Sequence, residues 1–421
     1  MAILTAADRL KDVFLKGLAG YKPKLPMHFD ALEKLAKSKL RKEYFDYVAY
    51  GAGTNEGIVN NINAFQKYAI LPKMVHGINQ VNLSTEIFNI QLPAPLLFAP
   101  VGVLELVHKN ADLELAKASR NLNIPMIFSN QASIPMEVVA SELADTNRWF
   151  QLYFSKNYEL VESFVHRAES CGHKAIVLTL DTTTLGWRQA DLENAYLPFA
   201  HAKGIAQYSS DPIFQNLMHE RHQAHFNKLP VSWNLILNSL QMMWNYNGSF
   251  LKNIKTKDPI KAVRKFFEIY SKPNLNWEDI KWLRSKTKLP IILKGILRDE
   301  DALKAVELGI DGIIVSNHGG RQLDRVISSL DAMISIRKKL EKNFPLMLDS
   351  GIRSGTDIFI ALALGAKAVL LGRPYVYALA VAGSKGVEEQ ISNIINELEI
   401  NMLLCGCDSI ESINEDYIFN K

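Results

Sequence analysis

The nine residues Ser316 to Asp324 read S-N-H-G-G-R-Q-L-D and follow directly on an apolar run, Gly312-Ile313-Ile314-Val315. A histidine can take a proton near neutral pH. An arginine can hold a carboxylate through two parallel hydrogen bonds. The two glycines between them let the backbone turn sharply and approach a ligand. His318 and Arg321 thus combine a base with a carboxylate clamp where a buried strand ends, which suits the oxidation of a small hydroxy acid. In isolation an H-G-G-R tetrapeptide reads as an ordinary turn. Its place behind a buried strand favours a site.

Such a site needs a scaffold that brings several strand ends together. Short apolar runs recur at Leu96 to Ala99, Pro125 to Phe128, Trp149 to Leu152 and Ala175 to Leu180. After a gap they resume at Pro290 to Leu293, Gly312 to Val315, Leu346 to Leu348 and Ala368 to Leu371. Helix-length segments separate them, among them Asp112 to Leu122, Tyr158 to Cys171, Arg298 to Leu308 and Asp357 to Leu364. Run-helix-run units of this length imply parallel strands with right-handed crossovers. The repetition predicts an α/β fold, an eight-stranded (β/α)8 TIM barrel with an N-terminal helical segment and a long insertion after strand four. The alternative is an open doubly wound sheet, which needs a glycine-rich phosphate loop after its first strand. Pro100-Val101-Gly102 is a poor one.

Residues 1–75 are expected to form the N-terminal helical segment and 76–421 the barrel, with 190–275 as a lid or insertion. Asp30 to Tyr50 reads as one helix, with Leu32, Leu35, Ala36, Leu40, Phe45 and Val48 near helical spacing. A structureless loop as long as the insertion is improbable, so it should be partly helical. Within it, Trp233 to Trp244 is apolar enough for a membrane-touching helix. A lid or subunit contact is the preferred reading, because Lys228 and Lys252 do not make a basic face.

Barrel enzymes react at the C-terminal ends of their strands. Here those ends are Pro100-Val101-Gly102, Ser129-Asn130-Gln131, Gln151 with Tyr153, Thr179 with Asp181, Lys294-Gly295, Ser316 with His318, Asp349-Ser350-Gly351 and Gly372-Arg373. One polar end has a structural explanation; eight converging on one face do not. The last two, with Arg353 leading into a helix, suggest a phosphate grip, because helix N-terminal amides attract anions. Singly, each residue has a plainer reading. Tyr47 can be a core aromatic, Lys294 and Arg188 can form surface ion pairs, Asp181 can cap a helix, and Gln151 and Thr179 can be satisfied core polars.

The balance of 48 basic against 44 acidic residues, net +4, gives no argument for nucleic acid. Cys171, Cys405 and Cys407 make no disulfide framework and no zinc pattern, so a reducing, cytoplasmic setting and no metal are expected. No secretory pattern and no membrane-spanning apolar stretch is evident, and membrane contact is not expected.

S-N-H-G-G-R-Q-L-D, with L-T-L-D-T at Leu178 to Thr182, F-Q-L-Y at Phe150 to Tyr153 and L-K-G at Leu293 to Gly295, resembles the FMN-dependent 2-hydroxy acid oxidising family. The resemblance runs from about Ala31 to the C-terminus, outside the insertion. It implies FMN as cofactor and His318 as the base, oriented by Asp181. Arg188 and Arg321 would clamp the substrate carboxylate, and Tyr47 and Tyr153 would hydrogen-bond the substrate. Lys294 would sit beside the flavin pyrimidine, where charge builds on reduction. Ser129, Gln151 and Thr179 would bond the ring, and Pro100, Val101 and Gly102 would line it. Ser316 would belong to the cofactor site and Asp349 would bind the ribityl chain. Gly351, Arg353, Gly372 and Arg373 would hold the phosphate. The resemblance further implies a homotetramer.

Gly102, Gly186-Trp187-Arg188, Asp349-Ser350-Gly351 and the insertion resemble the lactate 2-monooxygenase branch, in which the product is decarboxylated to acetate. The expected substrate is L-lactate, with oxygen as acceptor. A dehydrogenase passing electrons to a quinone or cytochrome is the nearest alternative. A flavin-free phosphate-binding isomerase and a non-catalytic barrel scaffold are more distant ones.

Overall fold

Eight parallel strands close on themselves in the computed structural model, which describes residues 4–220, 230 and 232–421. They are β1 (Leu96–Phe98), β2 (Met126–Ser129), β3 (Arg148–Leu152), β4 (Ile176–Thr179), β5 (Ile291–Ile296), β6 (Gly312–Val315), β7 (Leu346–Asp349) and β8 (Ala368–Leu371). The pairing of β8 with β1, Val369 opposite Leu96, shuts the ring and excludes an open sheet. Each strand leads to a helix, such as Ala111–Leu122 after β1 and Gly355–Ala363 after β7. The chain is a (β/α)8 barrel, as the spacing of apolar runs requires.

Side chains alternate across a strand, so every second residue faces the barrel axis. Leu97, Ile127, Trp149, Val177, Ile292, Ile314, Met347 and Leu370 form one buried cluster inside the ring. Their neighbours, among them Phe98, Phe128, Phe150, Leu178 and Leu348, join the larger cluster under the helices. A short hairpin, Thr85–Ile87 with Ile90–Leu92, stoppers one end. Its Ile87 and Leu92 belong to the axial cluster, and Phe88 meets Trp149 at 5.7 Å between ring centroids. The opposite end, where the strands finish, is left for polar groups.

The expected single helix from Asp30 to Tyr50 is two helices, Phe29–Lys39 and Lys42–Ala49, with Leu40 and Arg41 in extended conformation between them. The break has a packing reason. The first helix buries Leu32 and Ala36 against Tyr377 and Ala378 of the last helix, and Glu33 accepts a 2.7 Å bond from the Tyr377 hydroxyl. The second turns away and brings Tyr47 and Val48 to the open end of the barrel.

The insertion is built of short helices, including Pro212–Leu217, Trp233–Asn245, Phe250–Thr256 and Asp258–Ile269. Lys228 lies outside the described residues. Among the described residues, no helix is long and apolar enough to cross a membrane.

Candidate active site

Two residues beyond each axial apolar residue, the alternation places another inward position. Those positions are Ala99, Ser129, Gln151, Thr179, Lys294, Ser316, Asp349 and Gly372. Two residues further along lie Val101, Gln131, Tyr153, Asp181, His318 and Gly351. The polar strand ends are therefore successive layers stacked on a packed hydrophobic floor. His318, Arg321, Arg188, Tyr47, Tyr153 and Lys294 line one cavity together with residues 100–102, Asp349, Gly351, Arg353, Gly372 and Arg373.

His318 sits in a tight turn at φ +58°, with Gly319 and Gly320 after it at φ +63° and +74°. A non-glycine residue is uncommon there, and the conformation is fixed by its neighbours. The His318 N–H donates to Ser316 Oγ at 3.0 Å, and its Nδ1 is 2.8 Å from Asp181 Oδ1. Thr182 Oγ1 donates to the same carboxylate oxygen at 3.1 Å and is 3.2 Å from Nδ1. An ionised Asp181 orients the ring with hydrogen on Nδ1 and Nε2 free to accept a proton. Burial pushes the imidazole below its ordinary value, and Asp181 opposes that shift only in part. Burial works against the Asp181 charge, but His318 and Lys294 outweigh it and hold the carboxyl low. Asp181 caps no helix.

Arg188 and Arg321 converge on Tyr47. Their guanidinium carbons lie 5.9 and 4.8 Å from its ring centre, an arrangement that favours cations over the aromatic face. Arg188 Nε donates to the Arg321 carbonyl at 3.0 Å, and Nη2 donates to Gln322 Oε1 at 2.7 Å. Arg321 Nη1 donates to the carbonyls of Tyr47 and Tyr50. Gly186 is needed for this packing, since a Cβ there would stand 2.6 Å from the Arg321 carbonyl oxygen. Burial, followed by repulsion from Arg188, pushes Arg321 down to about 10. An anion between the two would relieve that repulsion. Arg188 is buried, and its ion pair, with Asp191 at 3.9 Å, lies away from the surface.

Lys294, Ser316 and Asp349 form a buried triad. Lys294 Nζ donates to Ser316 Oγ at 2.8 Å and pairs with Asp349 Oδ2 at 2.7 Å, while Ser316 Oγ donates to that oxygen at 2.6 Å. Burial opposes the Lys294 charge, but Asp349 and Asp181 overcome it and raise its pKa. Ser129 Oγ donates to Gln151 Oε1 at 3.1 Å. Gln151 Nε2 and Thr179 Oγ1 are buried without a partner in the protein. So are Arg353 Nε and Arg373 Nη2 at the ends of β7 and β8. Unpaired buried polar atoms are costly, so these four point to a ligand. The donors at β3 and β4 suit ring heteroatoms, and the two guanidinium N–H groups suit a phosphate. Burial and the nearby Arg373 push Arg353 down to about 10, which an anion would also relieve. The residues present fit FMN.

One part of the phosphate expectation is overturned. The amides opening the helix Gly355–Ala363 are not free. Arg353 and Ser354 N–H donate to Asp357 Oδ2 at 2.8 and 3.0 Å, and Gly355 N–H donates to Glu397 Oε2 at 2.9 Å. Two carboxylates, of Asp357 and Glu397, already satisfy that helix end, so the anion-binding capacity there rests on side chains.

Sequence reading missed Asn61, Thr182, Glu397 and the insertion residues Phe199, Phe267 and Tyr270, which form an apolar wall of the cavity. Thr182 follows Asp181 directly and its hydroxyl was a visible signal. Asn61 and Glu397 gave none, because their partners are distant in the chain.

A family model described as FMN-dependent dehydrogenase matches residues 36–420. An L-lactate oxidase from Lysinibacillus sphaericus is 41% identical over 402 residues, 96% of this chain and 95% of that protein. A peroxisomal (S)-2-hydroxyacid oxidase from Arabidopsis thaliana is 35% identical over 392 residues, 93% of this chain and 96% of its own length. The crystal structure of mandelate oxidase with (S)-4-hydroxymandelic acid superposes with a TM-score of 0.77 at 31% identity, covering 94% of this chain and 99% of that one.

Proposed function

The chain belongs to the FMN-dependent dehydrogenase family, and from that premise we propose that it oxidises an L-2-hydroxy acid, L-lactate first, to the 2-oxo acid with oxygen as acceptor. Its cofactor is FMN. The similarity to an L-lactate oxidase supports the substrate and the acceptor. The observation that carries the reading is the His318–Asp181 contact at 2.8 Å, on a cavity that Arg188 and Arg321 also line.

Bound FMN supplies a two-electron acceptor. Arg188 and Arg321 hold the substrate carboxylate, each keeping its remaining N–H groups on backbone or Gln322. Tyr47 and Tyr153 hydrogen-bond the carboxylate or hydroxyl and orient the carbon that loses hydrogen. His318 Nε2 takes the hydroxyl proton, and Asp181 stabilises the imidazolium that results. Lys294 would present positive charge to the cofactor ring, which favours its reduced form. Gln151, Thr179 and Ser129 would hold the ring, Asp349 the ribityl chain, and Arg353 and Arg373 the phosphate. The net reaction is hydroxy acid plus oxygen to oxo acid plus hydrogen peroxide.

One observation favours a second outcome, in which lactate and oxygen yield acetate, carbon dioxide and water. Gly102 lines the cavity beside Gln131, and a Cβ at 102 would stand 3.0 Å from Gln131 Cβ. Glycine lets Gln131 pack close against this turn at the cavity edge, where a side chain at 102 would displace it. A visible spectrum tests the main reading. The purified protein will be yellow and will bleach when L-lactate is added without oxygen. A colourless protein that takes up no FMN, or a yellow one that L-lactate does not bleach, refutes it. Product analysis then separates acetate from pyruvate with peroxide.

A further inference from the structure

We propose that the insertion helices Trp233–Asn245 and Phe250–Thr256 form a docking face for an anionic phospholipid surface, whichever electron acceptor the enzyme uses. The sequence contains no Asp or Glu between Glu220 and Asp258, while Lys252, Lys255 and Lys257 are exposed within that stretch. In a chain with 44 acidic against 48 basic residues, such segregation leaves the two helices with basic side chains as their only charged ones.

The first helix is apolar on both sides. Its inner side buries Met243, and the pair is fastened by side-chain amides. Asn253 Nδ2 donates to the carbonyls of Met243 and Tyr246 at 2.8 and 3.2 Å, and Asn245 Nδ2 donates to the His201 carbonyl at 3.1 Å. Ser232 caps its N-terminus through a 3.1 Å bond from the Leu235 N–H. The outer side carries Trp233, Leu237, Leu240 and Trp244 at helical spacing, with Trp233 80%, Leu237 61% and Trp244 75% exposed. Leu251, 78% exposed, and Ile254 extend the patch onto the second helix, and Trp244 meets Phe250 at 5.7 Å. A helix with an apolar stripe turned to solvent has a missing partner.

Charge decides which partner. A symmetric contact between copies of the chain lays the same acid-free segments together and sets lysines against lysines. An anionic bilayer complements them. Tryptophans at both ends of the stripe suit the headgroup level, with leucines between them entering the acyl boundary. The expectation of a lid or subunit contact weighed Lys228 and Lys252; Lys255 and Lys257 add to the basic charge of the segment. The docked face lies one helix from the cavity, because Trp233–Asn245 packs on the Pro198–His201 turn and on Asp258–Ile269, which supply Phe199 and Phe267 to the cavity wall.

The test uses the FMN-loaded full chain with vesicles of phosphatidylcholine, alone or mixed with phosphatidylglycerol, at low salt. The protein will sediment with the mixed vesicles, and its tryptophan emission will shift blue and be quenched by brominated acyl chains. Replacing Lys252 or Lys255 by Gln will weaken partitioning about fivefold each. Leu237→Glu with Leu240→Glu will abolish it while FMN absorbance and turnover without vesicles stay unchanged. Failure to bind mixed vesicles, or equal binding by the double variant, overturns the proposal. So does a fall in oligomer size in the double variant by sedimentation velocity, which would assign the face to a second copy of the chain.

Discussion

Asn61 and Asn317 face each other through two amide hydrogen bonds, each 2.8 Å, at buried positions 256 residues apart in the chain. Asn61 Oδ1 also accepts the Ser329 N–H at 3.1 Å, and Asn317 Oδ1 accepts the Gly320 N–H at 3.1 Å. The pair thus ties the helix Glu56–Gln66 to the turn that carries His318. Asn61→Ala leaves the Ser329 N–H buried without that partner, at about 1–3 kcal/mol, and removes both amide bonds to Asn317, whose Nδ2 keeps the Ile327 carbonyl and whose Oδ1 keeps the Gly320 N–H, at about 1 kcal/mol more. Urea unfolding of the FMN-loaded variant will show a loss of about 2–4 kcal/mol. An unchanged midpoint would show that the pair holds nothing.

The proposed mechanism makes His318 the proton acceptor. His318→Gln will retain the yellow colour and lose about 10²–10⁴-fold in kcat/KM, the usual contribution of a placed base. Colour retained with near-normal turnover would remove His318 from the mechanism.

The base acts when neutral, so kcat/KM falls as pH drops through the imidazole pKa and is full above it. Burial sets that pKa below the ordinary histidine value, and Asp181 works in the opposite direction. Asp181→Asn removes the upward influence. The acidic limb will therefore move to lower pH, while maximal turnover drops because the ring loses its orienting carboxylate. An acidic limb displaced upward contradicts the pairing.

Gln151 Nε2, Thr179 Oγ1, Arg353 Nε and Arg373 Nη2 have no partner in the protein, and in the proposed site FMN would supply one to each. FMN-depleted protein will unfold at lower urea, and FMN restored at a hundred times its Kd will return about 2.7 kcal/mol by mass action. Arg353→Met will release FMN more readily than the parent chain. Equal retention on a desalting column places the phosphate elsewhere.

Gly102→Ala puts a methyl group 3.0 Å from Gln131 Cβ and 3.2 Å from its carbonyl oxygen. The crowding reduces the space for product, so the acetate-to-pyruvate ratio from L-lactate will fall. Gln131→Ala in the same chain will restore part of it. A constant ratio through both changes dissociates Gly102 from the product choice.

The barrel and most of its polar rim were legible because strand alternation is local. The axial apolar residue and the site residue two positions later are both written within one strand. Breaks and long-range partners were not. The helix from Asp30 to Tyr50 divides at Leu40 and Arg41 with no glycine or proline to mark it, and the apolar spacing continues across the break. Glu397 satisfies the amide of Gly355 from 42 residues away. Asn61 gave no signal, because an amide in an amphipathic helix declares nothing until its partner is folded against it.

The stacked layers within the ring separate what keeps the chain folded from what makes it react. Leu97, Trp149, Ile292 and Met347 hold the foundation, and Ala99, Val101, Tyr153, Lys294, Asp349 and Gly351, two or four positions beyond these, line the cavity. A change of preferred acid or acceptor thus requires exchanges at the mouth alone, leaving the tier beneath untouched. The same architecture can acquire new reactions without first being rebuilt.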